Sequence, residues 1–204
     1  LFVPERSNAF TPTSAAVGPW DRQVVHGAAV VALLAGQLSP PEHTLTRLSV
    51  DFLTTVPMAS LSVERSEPTG GRRVQRQEAV LSCDGRPVAI ARTILVREGE
   101  LDLPPKALDH PSPFDPAAAP ALSEPNRKAA ETVGHDSFDS TSLIIEFQRV
   151  EGDRRVHAWV SLAVPVVAGT ELRGTELAAV AADYGQSAVH RQLGFAEWSF
   201  RNAE

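Results

Sequence analysis

The chain has 204 residues, of which 43% are hydrophobic and 6% aromatic, enough for one large packed domain or two small ones. Its 19 Lys and Arg residues against 25 Asp and Glu residues give a net charge of -6, so no overall positive field is present to attract nucleic acid. The one cysteine, Cys83, excludes an internal disulfide and a cysteine-rich zinc site, and therefore favours a reducing, cytoplasmic location.

The start of the chain predicts neither a secretory signal nor a membrane span. The first six residues lack the basic start and the apolar block of a signal peptide. They also lack an initiator methionine, so we expect that residues before Leu1 are missing. The longest apolar stretch, residues 24–36, is shorter than the roughly 20 residues that a membrane-spanning helix needs.

A nearly all-apolar helix is predicted early in the chain. Pro19 and Asp21 favour a helix start, with Asp21 as the capping side chain. Residues 24–38 are almost all Val, Ala, Leu or Gly, so the helix has no polar face of any width and must be wrapped by other structure. Pro40 and Pro41 end it.

Strands of a long antiparallel sheet are predicted after this helix. Apolar and polar residues alternate over 47–52 and again at 61–63, as in half-buried strands. Two further strands of about ten residues, 73–82 and 88–96, flank the dipeptide Asp84-Gly85, which is a strong hairpin signal. The sheet is therefore predicted to be long and antiparallel.

Residues 99–135 are predicted to form an extended linker between two halves of the chain. Seven of the 16 prolines lie between Pro104 and Pro125, and proline disfavours both helix and sheet because it removes a donor and fixes the backbone. We therefore divide the chain into an N-terminal unit, 1–98, this linker, and a C-terminal unit, 136–204.

The C-terminal unit repeats the order of elements of the N-terminal one. Residues 143–150 and 155–162 are predicted to form a hairpin, 175–193 a helix, and 196–200 the start of another strand. After its helix the first unit continues as a sheet up to Arg97, whereas the second stops soon after its helix. We therefore expect that a C-terminal segment is missing, unless another molecule completes the second sheet.

Several short motifs lie in order along the chain. The N-terminal unit contains Gly18-Pro19-Trp20, His26-Gly27-Ala28, residues 47–53 and residues 85–89, and the C-terminal unit contains Trp159 to Pro165 and Ala181 to Gly185. In this order they resemble the first and second hotdog units of the double-hotdog acyl-CoA thioesterases of type II. The resemblance implies an α+β double-hotdog fold, in which each unit wraps a curved antiparallel sheet around a long buried helix. It further implies hydrolysis of acyl-CoA to a fatty acid and CoA, with no cofactor.

The resemblance also implies which residues form the site. Asp183 matches the aspartate that helps to activate water, while the family's threonine and glutamine come from later strands that this chain does not reach. At Gly27 the free N–H groups and positive dipole of a helix start would form an oxyanion hole. His26, Gln23 and Ala28 are the candidate substrate-binding residues, and Ala28 stands where the family often has a second glycine.

The helix residues also have purely structural interpretations. On a helical wheel Asp183 lies with Glu176, Ser187 and His190 beside the apolar stripe, as on an ordinary solvated flank. In this interpretation His26 is a core or capping residue and Gly27 only relieves crowding between helix and sheet.

Other conspicuous residues have structural or open interpretations. Asp51 and Asp21 are interpreted as structural, His190 as a surface residue, and Cys83 as a small buried residue. Arg72 and Arg73 follow Gly70 and Gly71, and they either meet the CoA phosphates in a neighbouring protomer or lie in a solvated turn.

The motifs that are absent narrow the enzyme class. The sequence has no G-x-S-x-G elbow, G-x-G-x-x-G, P-loop or H-E-x-x-H, which disfavours a serine hydrolase, a nucleotide-binding enzyme and a zinc protease. No metal site is predicted. Two alternatives to a thioesterase stay open: a non-catalytic acyl-CoA or acyl-carrier binding protein, and a hotdog enoyl-CoA hydratase. We also expect a homo-oligomer, because exposed strand edges commonly pair hotdog units.

Overall fold

A computed structural model describes residues 1–6, 8–100, 124–149 and 156–185, together with residues 102, 104, 106 and 122. Its main feature is a seven-stranded antiparallel sheet. The strands are β1 (Phe2–Arg6), β2 (Ala9–Pro12), β3 (His43–Phe52), β4 (Leu61–Arg65), β5 (Thr69–Gly70), β6 (Val74–Cys83) and β7 (Arg86–Arg97). Their spatial order is β1-β2-β4-β6-β7-β3, with β5 beside β6. The predicted hairpin is confirmed, because β6 and β7 pair around Asp84 and Gly85, both at positive φ.

Helix α1 (Gly27–Gln37) packs on one face of this sheet, and eight of its 11 residues are buried. The apolar residues of β3, such as Leu48 and Val50, pack against the same core from an end strand of the sheet. The opposite face of β3 is polar, and there Asp51 pairs with Arg92 at 2.6 Å. The prediction of a buried helix against half-buried strands is therefore confirmed.

The predicted start of α1 is wrong. Asp21 does not cap the helix; its carboxylate accepts a hydrogen bond from the backbone of Gln23 at 2.8 Å. Val24 and Val25 form isolated β-bridges to Pro57 and Val17, so these residues are extended. The helix begins only at Gly27, because the preceding β-branched valines are held by bridges on both sides.

Where the structure describes it, the second half contains a two-stranded sheet and three helices. Strands β8 (Leu143–Arg149) and β9 (Val156–Leu162) form the predicted hairpin, and α2 (Lys128–Val133), α3 (Phe138–Thr141) and α4 (Gly174–Asp183) are helical. Helix α2 lies in the segment predicted to be an extended linker, so that prediction is wrong for residues 128–133. The rest of the predicted second helix beyond Gly185, the strand at 196–200 and His190 lie outside the described residues. No helix in the described ranges is long and apolar enough to cross a membrane.

Helices α1 and α4 pack against each other in opposite directions. Arg173, at the start of α4, donates hydrogen bonds to the carbonyl oxygens of Gly36 at 2.5 Å, in the last turn of α1, and of Ser39 at 3.3 Å, just after that helix. Glu176 lies in the first turn of α4, is only 2% exposed and pairs with Arg173 at 3.2 Å. The prediction that Glu176 lies on a solvated flank is therefore wrong, because this contact between the helices buries it.

Replacing Gly36 by alanine should weaken this contact. A Cβ atom at Gly36 would lie 2.5 Å from Glu176 Oε1 and 2.7 Å from Arg173 Nη2, so the Glu176 carboxylate and the Arg173 guanidinium must shift to make room for it. Overpacking costs about 1–3 kcal/mol, and the gain in helix propensity offsets about 1 kcal/mol of that. We expect Gly36→Ala to unfold at lower urea concentration than the parent. Gly174→Ala should unfold at the same urea concentration as the parent or higher, because a Cβ there meets nothing within 4 Å. A Gly36→Ala protein more stable than the parent would contradict the packing described.

Candidate functional site

The start of α1 is capped by the side chain of His26. Its Nδ1 atom accepts a hydrogen bond from the backbone N–H of Ala28 at 3.0 Å, and its own backbone N–H donates to Ala16 at 2.8 Å. An acceptor at the cap satisfies one of the donors that a helix start leaves free. Because Nδ1 accepts, the proton of the neutral imidazole is on Nε2.

Two residues from other helices contact the other side of the His26 ring. The hydroxyl of Tyr184, at the end of α4, lies 3.2 Å from His26 Nε2 and donates a hydrogen bond to the carboxylate of Asp139 on α3. The second oxygen of Asp139 lies 3.5 Å from the same His26 nitrogen. Burial and the charge of Asp139 raise the pKa of Tyr184, so the hydroxyl keeps its proton and acts as a donor.

Aromatic rings support this network. The His26 ring stacks on Phe138 with a centroid distance of 4.7 Å and on Tyr184 with one of 5.8 Å. Phe138 is completely buried and Tyr184 is 9% exposed. The imidazole is therefore held in place by packing as well as by hydrogen bonds.

The carboxylate of Asp183 faces Gly27 at the start of α1. A Cβ atom built at Gly27 would lie 3.9 Å from Asp183 Oδ2, 4.0 Å from Oδ1 and 3.9 Å from Phe52 Cζ. Gly27 thus borders a narrow space between a carboxylate and an aromatic ring, which a side chain at this position would enter. Among the described residues, neither the backbone N–H of Gly27 nor the Asp183 carboxylate takes part in a hydrogen bond.

The surroundings of Asp183 raise the pKa of its carboxyl. Burial is the main cause, the nearby His26 imidazole acts in the opposite direction, and the negative charge of Asp139 raises the pKa further. A half-buried carboxylate that holds a proton more readily than a free aspartate can take a proton from water and return it later. The same space offers an N–H donor for a developing negative charge.

The other residues predicted for the site differ in how far they are buried. Ala28 is fully buried and its N–H is taken up by His26. Gln23 precedes the helix with an exposed side chain that makes no hydrogen bond among the described residues, while its carbonyl oxygen accepts from Met58. Arg72 and Arg73 are exposed in the turn between β5 and β6.

Two further predictions concern Cys83 and metal binding. Cys83 is buried at the end of β6, as predicted, and burial raises the pKa of its thiol. Within the described ranges, no three His, Cys, Asp or Glu side chains lie close enough together to hold a metal ion.

Sequence reasoning missed Asp139, Tyr184 and Phe138 as parts of the site. Tyr184 was assigned to the apolar stripe of its helix, which its burial agrees with. Its hydroxyl is nevertheless paired with groups 45 and 158 residues away in the chain. The only local signal near Asp139 is the capping pair Ser137 and Ser140, which marks a helix start and says nothing of a site.

Comparison with protein families gives a match for the first half of the chain. Residues 16–96 match a family model described as the N-terminal domain of acyl-CoA thioesterase. This range includes His26, Gly27 and Phe52, and it excludes Asp139 and Asp183. None of the curated proteins is similar to the chain in sequence.

Two solved structures each cover 95% of the chain. One is a conserved protein of unknown function with a hotdog fold from Alicyclobacillus acidocaldarius, with a TM-score of 0.56, 15% identity and 70% of its own length covered. The other is a candidate thioesterase from Novosphingobium aromaticivorans, with a TM-score of 0.52, 18% identity and 75% of its length covered. The fold is a hotdog fold. The sheet β1–β7 and the buried helix α1 form the hotdog unit, and the match over 16–96 supports the predicted relation to hotdog thioesterases.

Proposed function

We propose that this protein is a type II, double-hotdog acyl-CoA thioesterase, which hydrolyses fatty acyl-CoA to a free fatty acid and CoA. The observation that carries the proposal is the Asp183 carboxylate facing Gly27 at the start of the buried helix. The thioesterase family match over residues 16–96 supports it independently.

The proposed reaction uses Asp183 first as a base and then as an acid. Water held by Asp183 attacks the thioester carbon, and Asp183 takes its proton as the new C–O bond forms. The N–H of Gly27 donates to the carbonyl oxygen, which becomes negative in the tetrahedral intermediate. When the C–S bond breaks, the CoA sulfur leaves with the proton from Asp183 and the fatty acid is released.

The double-hotdog part of the proposal is supported by the arrangement of the two long helices. Each is preceded by an antiparallel pair of strands, β1 with β2 before α1 and β8 with β9 before α4. The helices pack in opposite directions, so the end of α4 lies beside the start of α1. In this proposal the base comes from the second unit and the N–H donor from the first.

The proposed substrate enters beside Gly27. Glycine lets the thioester approach the backbone because it has no Cβ. Phe52 and the next residue, Leu53, are 41% and 53% exposed, which leaves apolar surface for the start of an acyl chain. His26 supports the helix start, and Gln23, whose side chain is exposed, is assigned to substrate binding as predicted, whereas the fully buried Ala28 is not. Arg72 and Arg73 are assigned to the CoA phosphates in a homo-oligomer.

Thiol release tests the proposal. The full chain is incubated with acyl-CoAs of increasing chain length, and free thiol is measured over many turnovers. We expect continuous release with at least one of them. Binding of acyl-CoA without turnover would instead identify a binding protein, and loss of enoyl absorbance without free thiol would identify a hydratase.

The rate of hydrolysis should depend on pH through Asp183. Only the ionised carboxylate takes a proton from water, and burial together with Asp139 raises the pKa of this group. We therefore expect kcat to rise with pH along a limb centred above about 3.9, the usual value for aspartate. The measurement is kcat for thiol release across the range in which the protein stays folded; a limb centred at or below the usual value would contradict the role of Asp183.

A further inference from the structure

The hydrogen bonds around His26 run in one direction through three helices. The backbone N–H of Ala28 donates to His26 Nδ1 at 3.0 Å. His26 Nε2 lies 3.2 Å from the Tyr184 hydroxyl, which in turn donates to the Asp139 carboxylate. The chain of bonds thus joins the start of α1 to the end of α4 and to α3.

The carboxylate decides that direction. An ionised carboxylate only accepts hydrogen bonds, so the Tyr184 proton is directed at Asp139. The tyrosine oxygen is then left as an acceptor, and His26 meets it with a protonated Nε2. Nδ1 consequently stays unprotonated, which is the form that accepts the N–H of Ala28.

We infer that Asp139 is a positioning residue: through Tyr184 its carboxylate fixes His26 as the neutral Nε2–H tautomer that caps α1 and aims the N–H of Gly27. The effect on the tautomer needs only the contacts described, whereas the effect on catalysis rests on the proposed thioesterase function. With the cap in place, the first turn of the helix is fixed and the Gly27 donor points at the reacting oxygen.

The neighbours of His26 are all part of the same arrangement. Its ring faces Asp139 from α3, Tyr184 from α4 and the stacked ring of Phe138, and Asp183 lies near enough to interact with it electrostatically. An asparagine at position 139 both donates and accepts, so it allows the bonds to run in either direction. Reversal would place the proton on Nδ1 and remove the acceptor for Ala28.

Nitrogen NMR of the full chain with labelled histidine tests the inference. His26 is one of six histidines, and its signals are those lost in His26→Asn, which keeps a capping acceptor at the helix start. We expect the parent protein to show Nε2–H with unprotonated Nδ1 at neutral pH. Asp139→Asn should show a mixture of both tautomers, whereas Asp136→Asn, an exposed aspartate three residues away, should leave the signals unchanged.

Kinetics of the same variants test the catalytic consequence. Loss of one oxyanion donor lowers kcat by about 10²–10³-fold. In Asp139→Asn the Gly27 N–H is only partly misaligned, so we expect kcat to fall about 10-fold with KM unchanged. The acidic limb of the pH profile should also move to lower pH, because the negative charge beside Asp183 is gone. In the His26→Asn background, Asp139→Asn should not lower kcat further, since the residue through which it acts is absent.

The two readouts separate the inference from the proposed function. A parent protein with Nδ1–H or fully protonated His26, or an unchanged tautomer in Asp139→Asn, overturns the inference. The expected tautomers in a protein that releases no thiol from any acyl-CoA leave the inference standing and remove the thioesterase function.

Discussion

Asp183→Asn should lose thioester hydrolysis and at the same time fold more stably than the parent. Asparagine keeps the shape of the side chain but takes no proton from water, and general bases of this kind contribute about 10²–10⁴-fold to kcat. The carboxylate is half buried, without a hydrogen bond among the described residues, so its charge is poorly compensated in the folded state.

The gain in stability should depend on pH in a definite direction. Because the pKa of Asp183 is raised by folding, its stabilising contribution is complete below the pKa of the unfolded chain and is lost as the pH rises through the pKa of the folded protein. At neutral pH, which lies well above the pKa of the unfolded chain, this carboxyl group therefore costs stability, and Asn removes that cost. We expect a higher Tm for Asp183→Asn at pH 7 and a smaller difference from the parent near pH 4. A gain of about 1 kcal/mol corresponds to about 2–4 °C in a chain of this size.

Thermal unfolding and thiol release on the same samples measure both effects. Asp136→Asn removes an exposed charge elsewhere and should leave both quantities unchanged. Undiminished turnover of Asp183→Asn would remove this residue from the mechanism. A lower Tm at pH 7 would show that the carboxylate has a stabilising partner.

Gly27→Ala should keep the fold and lose activity. The backbone at Gly27 is not at positive φ, and an added Cβ would make only ordinary contacts of 3.9–4.0 Å with Asp183 and Phe52. Alanine also favours helix over glycine by up to about 1 kcal/mol. The methyl group would nevertheless occupy the space between the carboxylate and the helix start. A displacement of about 1 Å at a reacting centre can cost about 10²-fold, so we expect kcat/KM to fall at least that far.

Helix α4 offers the matched control for this variant. Gly174 is likewise the first residue of its helix, and a Cβ there meets nothing within 4 Å. Gly174→Ala should therefore match Gly27→Ala in stability and match the parent in thiol release. If Gly27→Ala hydrolysed acyl-CoA at the parental rate, the thioester would not bind beside the backbone of Gly27.

Most of the sheet and the buried helix could be predicted from the sequence because their signals are local. The alternation in β3 and the Asp-Gly turn between β6 and β7 follow from neighbouring residues. Strand β1 shows no such alternation, since Phe2 alone is buried and the next four residues are exposed. The start of α1 was misplaced because Asp21 is a usual capping residue and His26 is not.

The sequence predicts a site residue only where that residue belongs to a recognisable local motif. Gly27 and Asp183 were each proposed from a motif, and the structure brings them together across two helices. The network around His26 depends on Asp139 and Tyr184, which are distant from it in the chain and ordinary in their local context. The burial of Glu176 likewise depends on the contact of Arg173 with the end of α1. A helical wheel shows the residues of one helix only and therefore cannot predict this contact.

Because α1 and α4 pack in opposite directions, each half of the chain supplies one group of the candidate site. The amide donor at Gly27 stays with the large sheet, while the carboxylate of Asp183 moves with α4. Any opening that lifts α4 away separates the two groups that we propose to act on the thioester, even while the seven strands stay intact. Such partial openings need less free energy than complete unfolding, so loss of catalysis on heating should precede loss of β-structure.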